Sequence, residues 1–386
     1  MTMKKLRVAR VSTVPFFVIT QLSAQIDILD ANGVDVSIVT SKEDFPGQLD
    51  QLQSAKYIRV DICRDISLFK DVVSLVRLFF LFRSSNFDIV HSTTPKAGLL
   101  CSIAAFFSGI KIRLHTFTGQ PWATVKGPKA FILKQCDKII SILNTQCYAD
   151  SETQRQFLID NGVIRKNKIS VLGCGSLAGV DLLRFSKNRY SEERCNALRE
   201  ELQIPEEGKI ILFVGRITQD KGVRELMSAF KNIALSNKCL HLLLVGPLED
   251  NGSEIGSSVE YNAVVDRIHQ IGFCDEPEKY MAIADLLCLP SYREGFGTVV
   301  IEAAAMGVPT VGTHIYGLSD AIIDGVTGVL VPPRDVIALS EALESLLNDL
   351  PALKIMGYRA AARAVSDFDS VKVSKLLVDE YERFIK

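Results

Sequence analysis

Two glutamates, Glu294 and Glu302, stand eight positions apart in the stretch REGFGTVVIEAA. The residues that follow the first acid are Gly295, Phe296 and Gly297. Glycines let a backbone approach a ligand closely, and the apolar run after them predicts a helix that begins near Thr298. This spacing favours two acids that hold opposite ends of one extended ligand, rather than an acid and a base acting on one bond.

The start of that predicted helix is a candidate anion site. The backbone amides of Gly297, Thr298 and Val299 would have no partner inside the helix, and the positive end of the helix dipole would lie behind them. Such an end binds phosphate without a cationic side chain. Glu302 lies one turn further on, and on the same face it could accept hydrogen bonds from two vicinal hydroxyls.

A second segment, FVGRITQDKG, places a strand end at Gly215 before two basic residues, Arg216 and Lys221. The guanidinium fork and the ammonium point charge could together neutralise a diphosphate. Taken alone, this segment is weak, because loops after strands commonly carry solvated basic residues.

Short β-branched strands alternate with helices in both halves of the chain, which predicts two doubly wound α/β domains. The predicted strands are Leu6–Val11, Val34–Val39, Asp88–His91, Ile110–Thr116, Lys138–Ile142, Lys168–Leu172, Lys209–Val214, His241–Val245, Arg267–Ile271, Leu286–Leu289, Thr310–Gly312 and Gly328–Val331. The predicted helices include Arg224–Leu235 and Val336–Asn348. We expect domains over residues 1–185 and 186–365, and a final helix over 366–386 that returns to the first domain.

Composition indicates a globular protein, with 47% hydrophobic residues among 386 and no apolar run long enough to span a membrane. The basic start lacks a cleavage site, so we expect a first buried strand and a cytoplasmic location. Nine scattered cysteines predict reduced thiols. Up to Tyr190 the chain has 25 basic and 15 acidic residues, which leaves 19 and 30 for the rest. The basic half could face an anionic surface, although compositional accident is equally plausible.

Three segments carry a resemblance to a known family: GRITQDKG, PSYREGFGTVVIEAAAMGVPTVGT and GLSDAIIDGVTGVLVPPRD. They resemble the C-terminal half of the retaining glycosyltransferases of family 4. That resemblance implies the GT-B fold, an α/β architecture of two Rossmann-like domains that face each other across a cleft. It implies that Arg216 and Lys221 bind the donor diphosphate, Glu302 the ribose and Glu294 the donor sugar. The loop from Gly295 to Thr298 would add backbone contacts.

In the first half, HTFTGQPWA is similar to a segment of bacterial polysaccharide transferases in which the histidine faces the reaction centre. The resemblance implies that His115, at a strand end, donates to the donor sugar or its phosphate, with Trp122, Lys126 and Lys129 on the acceptor side. The sequence departs from the family at three sites. The loop VPFF at 14–17 replaces a glycine pair, Ala178 replaces an asparagine, and Asp320 replaces a glutamate.

The sequence thus predicts a metal-independent retaining transferase that moves a hexosyl residue from a nucleotide sugar, with no further cofactor. Uridine is the base that the family implies, contacted near Ile268 and the GPLED loop after Val245. The implied acceptor is a polyprenyl-diphosphate-linked glycan of bacterial surface polysaccharide. The segment SLVRLFFLFRSS, residues 74–85, is either an interfacial helix on an anionic membrane or a buried helix. A soluble acceptor and a non-catalytic nucleotide-sugar-binding protein remain open alternatives. Nucleic acid is not expected as a partner.

Overall fold

A computed structural model describes residues 5–42, 52–63, 65, 67–249 and 264–386. The chain folds as two compact units. Residues 1–179 and 370–386 form the first unit, and residues 180–369 form the second. The predicted boundary after residue 185 lies close to the first of these divisions, and the C-terminal residues are grouped with the first unit.

The first unit is built on a seven-stranded parallel sheet. Its strands are β1 Leu6–Val11, β2 Val34–Thr40, β3 Ala55–Arg59, β4 Ile89–Thr93, β5 Ile112–Phe117, β6 Gln146–Ala149 and β7 Ile169–Val171. The strand order is β3-β2-β1-β4-β5-β6-β7, so the direction of strand addition reverses between β1 and β4. Strand β4 is buried along its whole length, as expected for a sheet covered on both faces.

Helices cover both faces of this sheet. They are α1 Pro15–Gln21, α2 Ser23–Ala31, α3 Leu68–Ser84, α4 Pro95–Phe107, α5 Pro128–Leu143 and α6 Glu152–Asp160. Helix α3 packs on α4, and α4 packs on α5, so these three helices form one continuous layer.

The second unit has a six-stranded parallel sheet in the order β10-β9-β8-β11-β12-β13. These strands are β8 Lys209–Val214, β9 Leu240–Val245, β10 Ile268–Gly272, β11 Leu286–Leu289, β12 Thr310–Thr313 and β13 Gly328–Val331. The helices are α7 Glu192–Glu201, α8 Val223–Ala234, α9 Glu278–Ile283, α10 Thr298–Ala305, α11 Leu318–Ala321, α12 Val336–Asn348 and α13 Leu350–Asp367. Helix α8 buries Leu226, Phe230 and Ile233 at helical spacing, which fixes its core face.

The last helix, α14 Ser370–Arg383, packs on α2 of the first unit. Its Tyr381 side chain is fully buried and accepts a 2.8 Å hydrogen bond from Nη1 of Arg10, while Nδ1 of His91 lies 2.7 Å from the same hydroxyl. The helix is therefore anchored by a buried polar cluster as well as by apolar packing.

Most predicted elements are confirmed, and β1, β8, β11 and β13 match their predicted bounds. The strand predicted over Lys138–Ile142 is wrong, because these residues belong to helix α5. Strands β3 and β6 were not predicted. All nine cysteines lie in the described ranges as free thiols. Within those ranges, no helix is both long and apolar enough to cross a bilayer.

Candidate active site

The predicted donor residues of the second unit lie at its topological switch point. Strands β8 and β11 are direct neighbours, and the direction of strand addition reverses between them. Arg216 and Lys221 follow β8, and Glu294 follows β11. Because parallel strands end at the same edge of the sheet, these loops lie side by side where open α/β sheets bind ligands.

Two glycines allow the loops to pack this tightly. A Cβ atom on Gly222, which has φ +69°, would lie 2.0 Å from the carbonyl oxygen of Pro290. A Cβ atom on Gly246 would lie 1.9 Å from the carbonyl oxygen of Gly215, the residue after β8. Any other residue at either position would push the loops apart.

Lys221 and Glu294 meet in an ion pair across these loops. The Nζ atom of Lys221 lies 2.5 Å from Oε1 of Glu294, and Oγ of Ser291 donates a 2.8 Å hydrogen bond to the same oxygen. Only 17% and 13% of the two charged side chains are exposed. The pair is therefore largely shielded from water, which strengthens its attraction and fixes both groups at the carboxyl end of the sheet.

Arg216 is also paired in this structure. Its Nη1 atom lies 2.7 Å from Oε2 of Glu249, a residue of the GPLED loop that was predicted to approach the base. Residue 250, at the end of that loop, lies outside the described residues. A diphosphate that binds Arg216 would share or replace this partner.

A second ion pair joins the same two loops. Nη2 of Arg293 lies 3.1 Å from Oδ2 of Asp220, and the backbone amide of Tyr292 donates to the carbonyl of Asp220 at 2.9 Å. Burial raises the pKa of Asp220, but a hydrogen bond from Thr218 and the charge of Arg293 outweigh it and leave the pKa below its usual value. The Asp220 carboxylate, and with it the ion pair to Arg293, therefore stays charged at neutral pH.

The start of helix α10 has the features of an anion-binding site. Gly297 occupies the N-cap with φ +86°, and no side chain caps the helix. The amides of Thr298 and Val299 belong to its first turn, where an α-helix has no internal acceptor for them. The Phe296 side chain points into the core and meets Phe368 edge to face at 5.2 Å, so only its backbone can serve a ligand.

Glu302 lies on α10, one turn from Thr298, and its side chain is partly buried. Burial raises the pKa of Glu302 to about 7, the positive charge of Arg184 opposes that rise, and Glu278 adds to it. Arg184 donates to both carboxylate oxygens of Glu278, each at 3.0 Å, and Glu278 is 2% exposed. Burial is thus the main cause of the raised pKa of Glu302, and the charges of Arg184 and Glu278, which no sequence motif indicates, modulate it.

His115 lies inside β5 of the first unit, two residues before its end, rather than at the end as predicted. The ring is 1% exposed, its Nδ1 atom lies 2.9 Å from Oγ of Ser92, and Phe117 packs against it. Burial lowers the pKa of His115 to about 3. The His115 ring is therefore neutral at physiological pH. If it donates a hydrogen bond to the donor, it does so through the N–H of the neutral ring.

Two expected contacts are not supported. The Trp122 indole is buried against Phe157 at 5.1 Å and donates to Asp137 at 2.7 Å, so it belongs to the core rather than to an acceptor surface. Ile268 stands at the amino end of β10, opposite Leu242, and it is 7% exposed. The ligand edge lies at the other end of that strand, so its side chain is placed to pack and not to meet a base.

The remaining predicted positions are glycines of the loops at this edge of the sheet. Gly295 and Gly297 precede α10, and Gly215 follows β8. In the described ranges, no three His, Cys, Asp or Glu side chains cluster as metal ligands would. The groups assembled at the switch point are two cations, two carboxylates and a helix start, which suit an anion joined to hydroxyl-bearing rings.

The two parallel sheets and the switch-point site define the GT-B class of α/β proteins. Residues 196–363 match the family described as glycosyl transferases group 1, and residues 18–175 match the glycosyl transferase 4-like domain. The structure is similar to that of Anabaena Alr3699/HepE in complex with UDP and glucose, with a TM-score of 0.80, 18% identity and coverage of 98% and 100% of the two chains.

Curated relatives agree with this class. The capsular polysaccharide biosynthesis glycosyltransferase CapM of Staphylococcus aureus is 33% identical over 95% of this chain and 94% of its own. An Escherichia coli enzyme, named UDP-Gal:alpha-D-GlcNAc-diphosphoundecaprenol alpha-1,3-galactosyltransferase, is 25% identical over 98% and 97%. The chain therefore belongs to the family 4 type of glycosyltransferases that act in bacterial surface-polysaccharide synthesis.

Proposed function

We propose that this glycosyltransferase moves a hexosyl or N-acetylhexosaminyl residue from a UDP-sugar to a polyprenyl-diphosphate-linked glycan, with retention of the anomeric configuration. The observation that supports the proposal is the switch point, where the loop after β8 carries Arg216 and Lys221 and the loop after the adjacent β11 leads into α10. Its chemistry suits a diphosphate flanked by a ribose and a sugar.

The donor would bind with its diphosphate against the two cations and the amides of α10. Glu302 would accept hydrogen bonds from the ribose hydroxyls, and Glu294 would hold the transferred sugar. A uridine donor is supported by the named substrate of the Escherichia coli relative and by the UDP bound to Anabaena HepE.

Retention would follow from attack on the same face as the leaving group. The bond between the anomeric carbon and the diphosphate oxygen breaks as the acceptor hydroxyl forms its bond to that carbon. The hydroxyl proton passes to the departing diphosphate oxygen. Arg216, Lys221 and the helix start would stabilise the charge that develops there, which is usually the largest catalytic contribution.

The acceptor proposal is supported by the lipid-linked acceptor in the name of the Escherichia coli relative. Such a carrier resides in a membrane, so we place the enzyme at the inner face of the cytoplasmic membrane. His115 is retained in this proposal as a neutral hydrogen-bond donor toward the donor sugar or its phosphate.

A panel of nucleotide sugars tests the proposal directly. A bound ligand at 100 times its dissociation constant should stabilise the fold by roughly 2.7 kcal/mol, which thermal unfolding detects. The stabilising donor is then offered with a polyprenyl-diphosphate glycan or with a water-soluble acceptor, and the anomeric product is read by NMR. Stabilisation by no UDP-sugar, or turnover with soluble acceptors alone, would contradict the donor or the acceptor proposal.

A further inference from the structure

Helix α3 exposes a stripe of bulky apolar side chains on the first unit. Phe69, Val72, Val76 and Phe80 are 81%, 59%, 46% and 62% exposed. Their spacing of three and four residues keeps them on one side of the helix, while Leu78 faces the core. The helix that carries the segment predicted as either interfacial or buried is therefore buried on one side and exposes apolar side chains on the other.

Helix α5 presents a matching stripe. Phe131, Ile132, Ile139 and Ile142 are 65%, 59%, 40% and 70% exposed, and Ile140 on the opposite side is fully buried. Helix α4, which packs between α3 and α5, ends in two further exposed aromatic residues, Phe106 and Phe107. We call these ten side chains the apolar face.

The apolar face gathers ten exposed bulky side chains on three neighbouring helices. Single exposed apolar residues are normal, but contiguous patches of many such side chains mark places that a partner or a membrane covers. All ten residues belong to the single helical layer α3-α4-α5, so one flat partner could meet them together.

The charged residues on these helices favour an anionic partner. Lys70, Arg83, Lys129 and Lys138 lie on α3 and α5 and make no ion pair among the described residues. Arg77 on α3 lies 3.6 Å from Asp61.

The two acids of these helices do not oppose that positive charge. Asp71 on α3 pairs with Lys96 at 2.7 Å, and Asp137 on α5 is buried under Trp122. Among the described residues, the exposed charges on the two helices that lack an ion pair are therefore basic. A second copy of the chain would bring like charges together, whereas an anionic lipid surface would complement them.

We propose that the apolar face is a docking surface for a bilayer that contains anionic lipid. The aromatic and aliphatic side chains insert at the level of the headgroups, and the flanking lysines and arginines contact lipid phosphates. The inference deepens the proposed function, on which it rests for a lipid-linked acceptor, but the surface itself is tested without any transfer reaction.

Vesicle flotation of the full chain tests the proposal. We expect it to float with vesicles of phosphatidylcholine mixed with phosphatidylglycerol and to remain unbound with phosphatidylcholine alone. The combined change Phe69→Ser, Phe80→Ser, Ile132→Ser and Ile142→Ser should weaken binding at least about tenfold, because apolar insertion is lost. Replacement of Lys70, Arg83, Lys129 and Lys138 by glutamine should weaken it by roughly fivefold for each charge near the surface.

Leu235→Ser and Ile337→Ser provide the matched control, since these side chains are 62% and 69% exposed in the second unit. They should float as the unaltered protein does. The proposal is overturned if the protein binds both kinds of vesicle equally. It is also overturned if the variant with the four serine substitutions floats as the unaltered protein does. A lipid-free dimer that the same serines dissociate would assign the face to a second copy. UDP-sugar binding is measured on each variant as well. A variant that binds the UDP-sugar but not the vesicles has lost the docking surface alone, whereas absence of UDP-sugar binding in the unaltered protein would contradict the proposed function.

Discussion

Lys221 and Glu294 are 73 positions apart in sequence, yet Nζ of one lies 2.5 Å from Oε1 of the other. The lysine follows β8 and the glutamate follows β11, so the contact exists only because these strands are adjacent. Under the proposed function, the residue that neutralises the diphosphate and the residue that holds the sugar thus orient each other.

Removal of either partner should therefore lower the rate, and the two losses should not be independent. We expect Lys221→Ala to lower kcat about 10²–10³-fold, the usual effect of losing one group that stabilises developing charge. Glu294→Gln should also lower the rate, and the double variant should be clearly less impaired than the product of the single losses. Steady-state kinetics with the identified UDP-sugar measures all three, with Lys238→Ala on the exposed surface as control. Strictly multiplicative losses would show that the ion pair has no functional coupling.

Gly317 should be essential to the loop that carries Glu294. Its φ is +85°, and a Cβ atom there would lie 2.9 Å from the carbonyl oxygen of Glu294 and 2.7 Å from that of Gly295. Gly325 has a similar φ of +70° with open space around it, so alanine there carries only the backbone cost of about 1–2 kcal/mol. We expect Gly317→Ala to lower kcat/KM roughly 10²-fold through loop displacement, and Gly325→Ala to leave it nearly unchanged. Equal kinetic effects of the two changes would contradict this.

The elements that hold the site could be predicted because their sequences agree with their surroundings. Strands β8 and β11 are short buried runs, and α10 begins after glycines that break the preceding loop. The family motif then assigned Arg216, Lys221, Glu294 and Glu302 to one ligand, and the structure brings the loops that carry them to one switch point.

The wrong or missing predictions fall where the local hydrophobic pattern does not reflect the position of the residues in the fold. Residues 138–142 were predicted as a strand because α5 is apolar on its exposed side as well as on its core side, which hides the helical period. Strand β3 was missed because it is an edge strand with exposed, charged residues. The pairing of Arg184 with Glu278 spans 94 positions, and no local spacing indicates it.

The Arg184–Glu278 pair should be important for stability. Glu278 is 2% exposed, so Arg184→Ala would leave a buried carboxylate without its partner and cost about 3 kcal/mol, near the low end for such losses because the arginine is itself partly exposed. Arg189 lies 3.9 Å from the same carboxylate and is 48% exposed, so Arg189→Ala should cost less than about 1 kcal/mol. Urea unfolding followed by circular dichroism compares them. Similar midpoints for both variants would refute the argument.

Turnover should persist in excess EDTA. Under the proposed function, Arg216, Lys221 and the amides of α10 supply fixed positive charge to the diphosphate, the task that a divalent cation can also perform. We therefore expect the initial rate to be unchanged after chelation and the addition of magnesium to have no effect. Loss of activity that magnesium restores would show that the cations are insufficient.

Donor affinity should depend on pH through Glu302. Its pKa is raised from the usual 4.5 to about 7, mainly by burial, so the carboxylate that accepts hydrogen bonds from ribose forms only near neutrality. Affinity for a UDP-sugar, which has no group that titrates near pH 7, should rise as the pH increases through 7 and then level off. Folding stability should move the opposite way between about pH 4.5 and 7, because the folded state holds the proton more tightly than the unfolded chain. Calorimetric titration across this range measures the affinity. Glu302→Gln should bind weakly with no pH step, and a step that survives in this variant would assign the titration to another group.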